Sequence, residues 1–180
     1  ARAMYSTELS QAQLRTGSEA FPKRLRPVLS ALMRQWDDLA TRHLDDTADP
    51  PPALLDDVPK PLRTALSQAI SKIGQWFAEQ PDRAAGAPLQ CYFELIAFQR
   101  LLERLGAHSL FEVVPGGMSQ HDLLPTREVS LRISNVVPAP HLDERFKAAV
   151  TVVAFSATLV PWHYHQLMLG LTFRYQQAGL

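Results

Sequence analysis

Lys23-Arg24-Leu25-Arg26-Pro27-Val28-Leu29-Ser30-Ala31-Leu32-Met33-Arg34-Gln35-Trp36-Asp37-Asp38-Leu39-Ala40-Thr41-Arg42-His43 sets the architecture of this chain. Its apolar residues, Leu25, Val28, Leu29, Leu32, Met33, Trp36, Leu39 and Ala40, recur at gaps of three and four. That spacing draws one apolar stripe along a helix and leaves the charged residues on the other side. Pro22 and Pro27 belong before or within the first turn, where a missing N–H costs least. The acids and three consecutive prolines between Asp45 and Pro52 then break the pattern and predict a loop.

Reading outward, a second stripe runs through Leu62, Leu66, Ala69, Ile70, Ile73, Trp76 and Phe77, opened by Pro61 and closed by Pro81. Gly74 lies inside it, at a cost of about 1 kcal/mol relative to alanine. A third helix is predicted from Leu89 to Leu105, with Gly106 as its stop. Three amphipathic helices of this size hide their stripes against one another as a small bundle.

The pattern changes after Gly106. Leu110 to Val114 predicts a short strand, closed by Pro115-Gly116-Gly117 and a loop reaching Pro125. Glu128 to Ile133 alternates, with Val129, Leu131 and Ile133 on one face, which predicts a half-buried strand. Asn135 to Pro140 is irregular, and Leu142 to Ala149 predicts a short helix. Val150-Thr151-Val152-Val153-Ala154-Phe155 is a continuous β-branched and apolar run, suited to a strand buried on both faces of a parallel sheet. Ser156-Ala157-Thr158 ends it, and Pro161 opens a helix that closes near Gly170. A hydroxyl-rich turn after such a strand lies where open α/β sheets bind ligands.

Composition limits the function. The 180 residues are 46% apolar, enough for a real core, and 18 Lys+Arg balance 18 Asp+Glu. No global charge therefore attracts nucleic acid. One cysteine, Cys91, excludes an internal disulfide or a cysteine-built metal cluster, and fits a reducing cytoplasm. No stretch reaches the roughly 18 apolar residues a membrane span needs. Neither end has the features of a natural terminus, so the sequence is expected to be a piece of a longer protein.

Val152-Val153-Ala154-Phe155-Ser156-Ala157-Thr158-Leu159-Val160-Pro161, with Tyr164 and Leu169-Gly170-Leu171 after it, resembles the third helicase motif of XPD/DinG-like superfamily 2 helicases. Asn135 to Leu142, with Phe146, resembles that family's approach to the motif. Arg2-Ala3-Met4-Tyr5-Ser6-Thr7-Glu8-Leu9-Ser10 is similar to the segment just after the family's Asp-Glu-Ala-His box. Between these landmarks the family inserts a helical arch domain, and the three predicted helices stand there.

The resemblance implies an α+β, mainly helical chain: a three-helix arch-like bundle, then a partial P-loop NTPase (RecA-like) α/β segment. It divides the chain into residues 1–19 after the box, 20–106 as the arch-like domain, and 107–180 as the motor-domain segment. It implies 5′-to-3′ unwinding of DNA in repair or replication, with single-stranded DNA as partner and a possible protein partner on the arch. Ser156, Ala157 and Thr158 would couple nucleotide state to movement. The resemblance also implies a bacterial-type, cytoplasmic and nucleoid-associated location.

The chain has no Gly-x-x-x-x-Gly-Lys-Ser/Thr loop and no Asp-Glu-Ala-His sequence, the parts that hold phosphates and magnesium. ATP, Mg and a 4Fe–4S cluster are thus expected in the parent, and no ATP hydrolysis by this chain alone. Lys23, Arg24, Arg26 and Arg34 are the candidate contacts to single-stranded DNA, against the plainer reading of a solvated helix face. Trp36, Trp76 and Phe77 lie on the buried stripes and are expected in the core rather than as base platforms. His163 and His165, two apart, point to different helix faces and do not suggest a metal site. The acid pairs Asp37-Asp38 and Asp45-Asp46, with no facing partner legible in the sequence, are expected to be solvated charge. The rival class is a non-enzymatic helical module that binds another protein.

Overall fold

The computed structural model describes residues 6–47, 49–118, 127–135, 137, 139–153 and 161–171. The expected helices are present. Lys23–Leu25 forms a 3-10 turn that leads into α2 (Arg26–His43), with Pro27 in the first turn. α3 spans Lys60–Glu79 and α4 spans Gly86–Glu103. The stripes point inward: Leu29, Leu32, Trp36 and Leu39 are buried in α2, and Leu62, Leu66, Ile73 and Trp76 in α3. Gly74 has a use that offsets its helix cost, since a Cβ there would stand 2.8 Å from the Tyr92 hydroxyl.

A fourth helix, α1 (Gln11–Glu19), precedes them. Its only large buried apolar side chain is Leu14, so it lacks a long stripe. Its start is nonetheless written in the sequence as a capping box. The Ser10 hydroxyl accepts from the Gln13 N–H at 3.1 Å, and the Gln13 amide oxygen accepts from the Ser10 N–H at 2.9 Å.

The four helices lie with a single antiparallel sheet. Its strands are β1 (Thr7–Ser10), β2 (Ala53–Leu55), β3 (Ser109–Met118) and β4 (Arg127–Asn135), in the order β1-β4-β3-β2. The parallel sheet expected from the sequence is not seen among the described residues. β3 and β4 are consecutive, joined by a connection of a few residues, and a short connection of that kind permits only antiparallel pairing. β3 also runs on past Pro115 to Met118, through a register irregularity. Gly116 allows it, because a Cβ there would come within 2.9 Å of the Glu128 carbonyl oxygen.

Period-two alternation gives the sheet two unlike faces. Leu9, Phe111, Val113, Val129, Leu131 and Ile133 are buried against the helices. On the other face Glu8 and Arg132 meet in a half-exposed ion pair at 3.0 Å. α1, α2 and α4 sit on the sheet, and α3 packs across α2 and α4. One core therefore joins segments from Leu9 to Ile133.

Beyond it, α5 (Ala139–Ala148) and α6 (Trp162–Leu169) pack on each other. Gly170 ends α6 in the left-handed conformation, φ 68°, which favours glycine. The expected buried strand at Val150–Phe155 is corrected where it is described. Thr151–Val153 has no regular structure, and Val150 and Val153 are 103% and 78% exposed. A strand buried on both faces requires neighbours on each side, and none pairs with these residues here. No helix among the described residues is long and apolar enough to cross a membrane.

Candidate nucleic-acid interface

Three of the basic residues singled out from the sequence lie at the entry to α2, and the fourth, Arg34, stands at its middle. Lys23 and Arg24 lie on the 3-10 turn, Arg26 starts α2, and Arg34 stands two turns further along. All four are exposed. Residues 26, 30 and 34 repeat at intervals of four, so Arg26 and Arg34 share one side of α2 with Ser30 between them. Asp37 and Asp38 then end the basic strip. Asp37 accepts a 2.6 Å hydrogen bond from the Gln11 side chain, and Asp38 faces Arg42 at 4.0 Å.

The four cations are not equivalent. Arg24 donates from Nη2 to Glu79 Oε2 at 2.7 Å, across the α2–α3 interface. Its charge is therefore largely answered within the molecule. Lys23, Arg26 and Arg34 have no ion-pair or hydrogen-bond partner among the described residues. The sequence alone could not rank them, because Glu79 lies 55 positions from Arg24.

Next to Arg24 the surface opens into a groove of ≈ 550 Å³ between the entry to α2 and the α3–α4 turn. Phe21, Pro22, Arg24, Trp76, Gln80 and Arg83 are among its lining residues. In the sequence, Pro81-Asp82-Arg83 reads only as the end of a helix. Phe21 and Trp76 meet edge to face, 5.6 Å between centroids and 74° between planes, and both are buried. Trp36 and Phe77 are buried as well, as expected for core residues.

The remaining candidates do not join this cluster. Ser156, Ala157 and Thr158 lie outside the described residues. His163 is exposed on α6, while His165 packs edge-on against Tyr164 at 5.3 Å. Among the described residues no group of three or more His, Cys, Asp or Glu side chains could hold a metal ion.

Cys91 is buried where α4 crosses α1, and a Cβ on Gly17 would come within 2.7 Å of its Sγ. Burial, with a smaller contribution from Glu94, raises its thiol from the ordinary 9.0 to about 11. The thiolate is thus disfavoured in the folded state. Thiol-labelling reagent at pH 8 should leave the native chain unmodified and modify it in denaturant; rapid native labelling would contradict this. Because the folded pKa is the higher one, the associated stability is present below pH 9 and is lost as pH rises toward 11.

No family model matches the chain, and no curated protein is significantly similar to it.

Proposed function

We propose that the chain is the arch-like insert and adjoining coupling segment of an XPD/DinG-like ATP-dependent DNA helicase. The observation that carries this reading is how the folded unit begins and ends. β1 pairs antiparallel with β4, with Thr7 opposite Ile133 and Ser10 opposite Ser130. The Asn135 N–H also donates to the Ser6 hydroxyl at 3.3 Å. The chain thus leaves the unit beside the point where it entered. Adjacent ends are what insertion into a host domain demands. Of the segments that resemble the helicase, residues 2–10 end in β1 itself, and residues 152–171 follow β4 in the chain.

The exposed run at Val150–Val153 supports the same reading. In the helicase these residues enter a parallel α/β sheet whose other strands belong to the motor domain. ATP, Mg and the 4Fe–4S cluster are assigned to the rest of the parent. Unwinding proceeds 5′ to 3′ on a single strand in a cytoplasmic, nucleoid-associated setting, and Lys23, Arg26 and Arg34 contact its phosphates.

Two measurements test the proposal. The coding sequence on the N-terminal side of Ala1 should contain a phosphate loop and Asp-Glu-Ala-His; an open reading frame without them removes the helicase reading. The second is binding of the full chain to single-stranded DNA across a salt series. Three cations without an ion-pair partner among the described residues give a slope of about −2 in log K against log salt, or roughly a 15-fold loss of affinity from 50 to 200 mM. The variant K23Q/R26Q/R34Q should lose most of that slope and bind more weakly at low salt. An unchanged slope returns these residues to an ordinary solvated surface.

A further inference from the structure

We propose that the groove beside Arg24 receives one base of the single strand, stacked on the Arg24 guanidinium, so that base stacking adds to the phosphate contacts of Lys23, Arg26 and Arg34. This rests on the DNA reading above and adds a named contact to it.

Arg24 and Glu79 are held together at 2.7 Å, yet their side chains remain 52% and 58% exposed. The pair commits little of its surface to packing. It holds a planar cation, 52% exposed, among the residues that line the groove. Guanidinium planes are a common support for unstacked bases. The indole of Trp76 cannot take that role, since it is 6% exposed and Phe21 beneath the same groove is 3% exposed. Those rings form a packed floor. Pro22 and Pro88, with restricted backbones, stiffen the walls. At ≈ 550 Å³ the groove is within the range of small-ligand sites and has room for a base and its sugar. Gln80 and Arg83, both among the lining residues, carry side-chain donors suited to a base edge.

Local charge then separates base from phosphate recognition. Of the charged residues lining the groove, Arg24 is paired with Glu79, and Arg83 stands with Asp82. Phosphate attraction at the groove itself is therefore small beside that of Lys23, Arg26 and Arg34. A strand held here must draw on stacking, which tolerates any base because every base has a π face.

The experiment compares two labelled strands of equal length, oligo(dT) and an abasic phosphodiester, binding to the full chain. Oligo(dT) should bind about fivefold or more tightly. R24K keeps the charge and removes the plane; it should bring the two affinities together without shifting the thermal midpoint. E79Q, which releases the guanidinium, should narrow the difference too. Equal affinity of the wild-type chain for both strands overturns the groove proposal and leaves phosphate contact standing. An R24K variant that keeps the full difference also overturns it. If neither strand binds at all, the DNA-contact reading of this end falls together with the groove.

Discussion

Trp36→Ala should destabilise the fold by about 3–5 kcal/mol, the range for deleting a large aromatic from a core. Trp36 is fully buried, and its ring centroid lies 6.5 Å from that of Phe98 on α4. Its Nε1–H donates to the Leu9 carbonyl of β1 at 3.1 Å. One side chain thus ties α2 to α4 and to the strand at which the unit begins. Domains of this size are stable by about 5–15 kcal/mol, so the loss removes a large share of the total. Trp36→Phe keeps most of the apolar volume but leaves the Leu9 carbonyl without this donor, and should cost about 1–3 kcal/mol. Leu54→Ala is the control, since Leu54 is 58% exposed, and should change stability little. Urea unfolding followed by circular dichroism measures all three. A cost below about 1 kcal/mol for Trp36→Ala would mean that the tie does not hold the layers together.

The same residue shows what the sequence could reveal. Trp36 belongs to a run whose period is helical over five turns, and long periodic runs are the strongest local signal. Val129, Leu131 and Ile133 were legible for the matching reason at period two. β1 and β2 were not, being four and three residues long and stabilised by partners far along the chain. α1 was hidden by its polar composition, although its capping box was in plain sight at Ser10 and Gln13. The apolar run at Val150 illustrates the opposite error. Continuous β-branched residues report that burial is wanted somewhere, and periodicity alone does not say whether the burying partner lies in the same unit. The candidate interface divided in the same way. Exposed cations on a helix face follow from the stripe opposite them. The pairing of Arg24 with Glu79, and the groove between residues 20–24 and 76–88, depend on α2 and α3 packing side by side.

Within the proposed helicase, replacing Ser156 and Thr158 by alanine should uncouple the motor: ATP turnover stays within a fewfold of the parent while duplex unwinding drops tenfold or more. The turn they form in the helicase reading comes after a strand of the motor sheet, at its carboxyl edge, where such sheets bind nucleotide. Hydroxyls there can donate to the carboxylates that hold the metal, or to the facing motor domain. Each such hydrogen bond contributes roughly 0.5–1.5 kcal/mol when neutral and about 1.5–3 kcal/mol when one partner is charged. Since about 1.4 kcal/mol is tenfold in an equilibrium constant, losing two of them shifts a two-state motor decisively. Nucleotide affinity itself rests on the phosphate loop, which contributes backbone N–H groups and a lysine from another part of the parent. Hydrolysis therefore survives and transmission does not. The measurement is paired: ATP turnover with single-stranded DNA and strand separation of a duplex, on one preparation of the double variant. Equal loss of both would make the turn part of the hydrolytic site or of the fold. Loss of neither would assign the two hydroxyls to an ordinary strand-to-helix cap, worth about 1 kcal/mol to stability and nothing to movement.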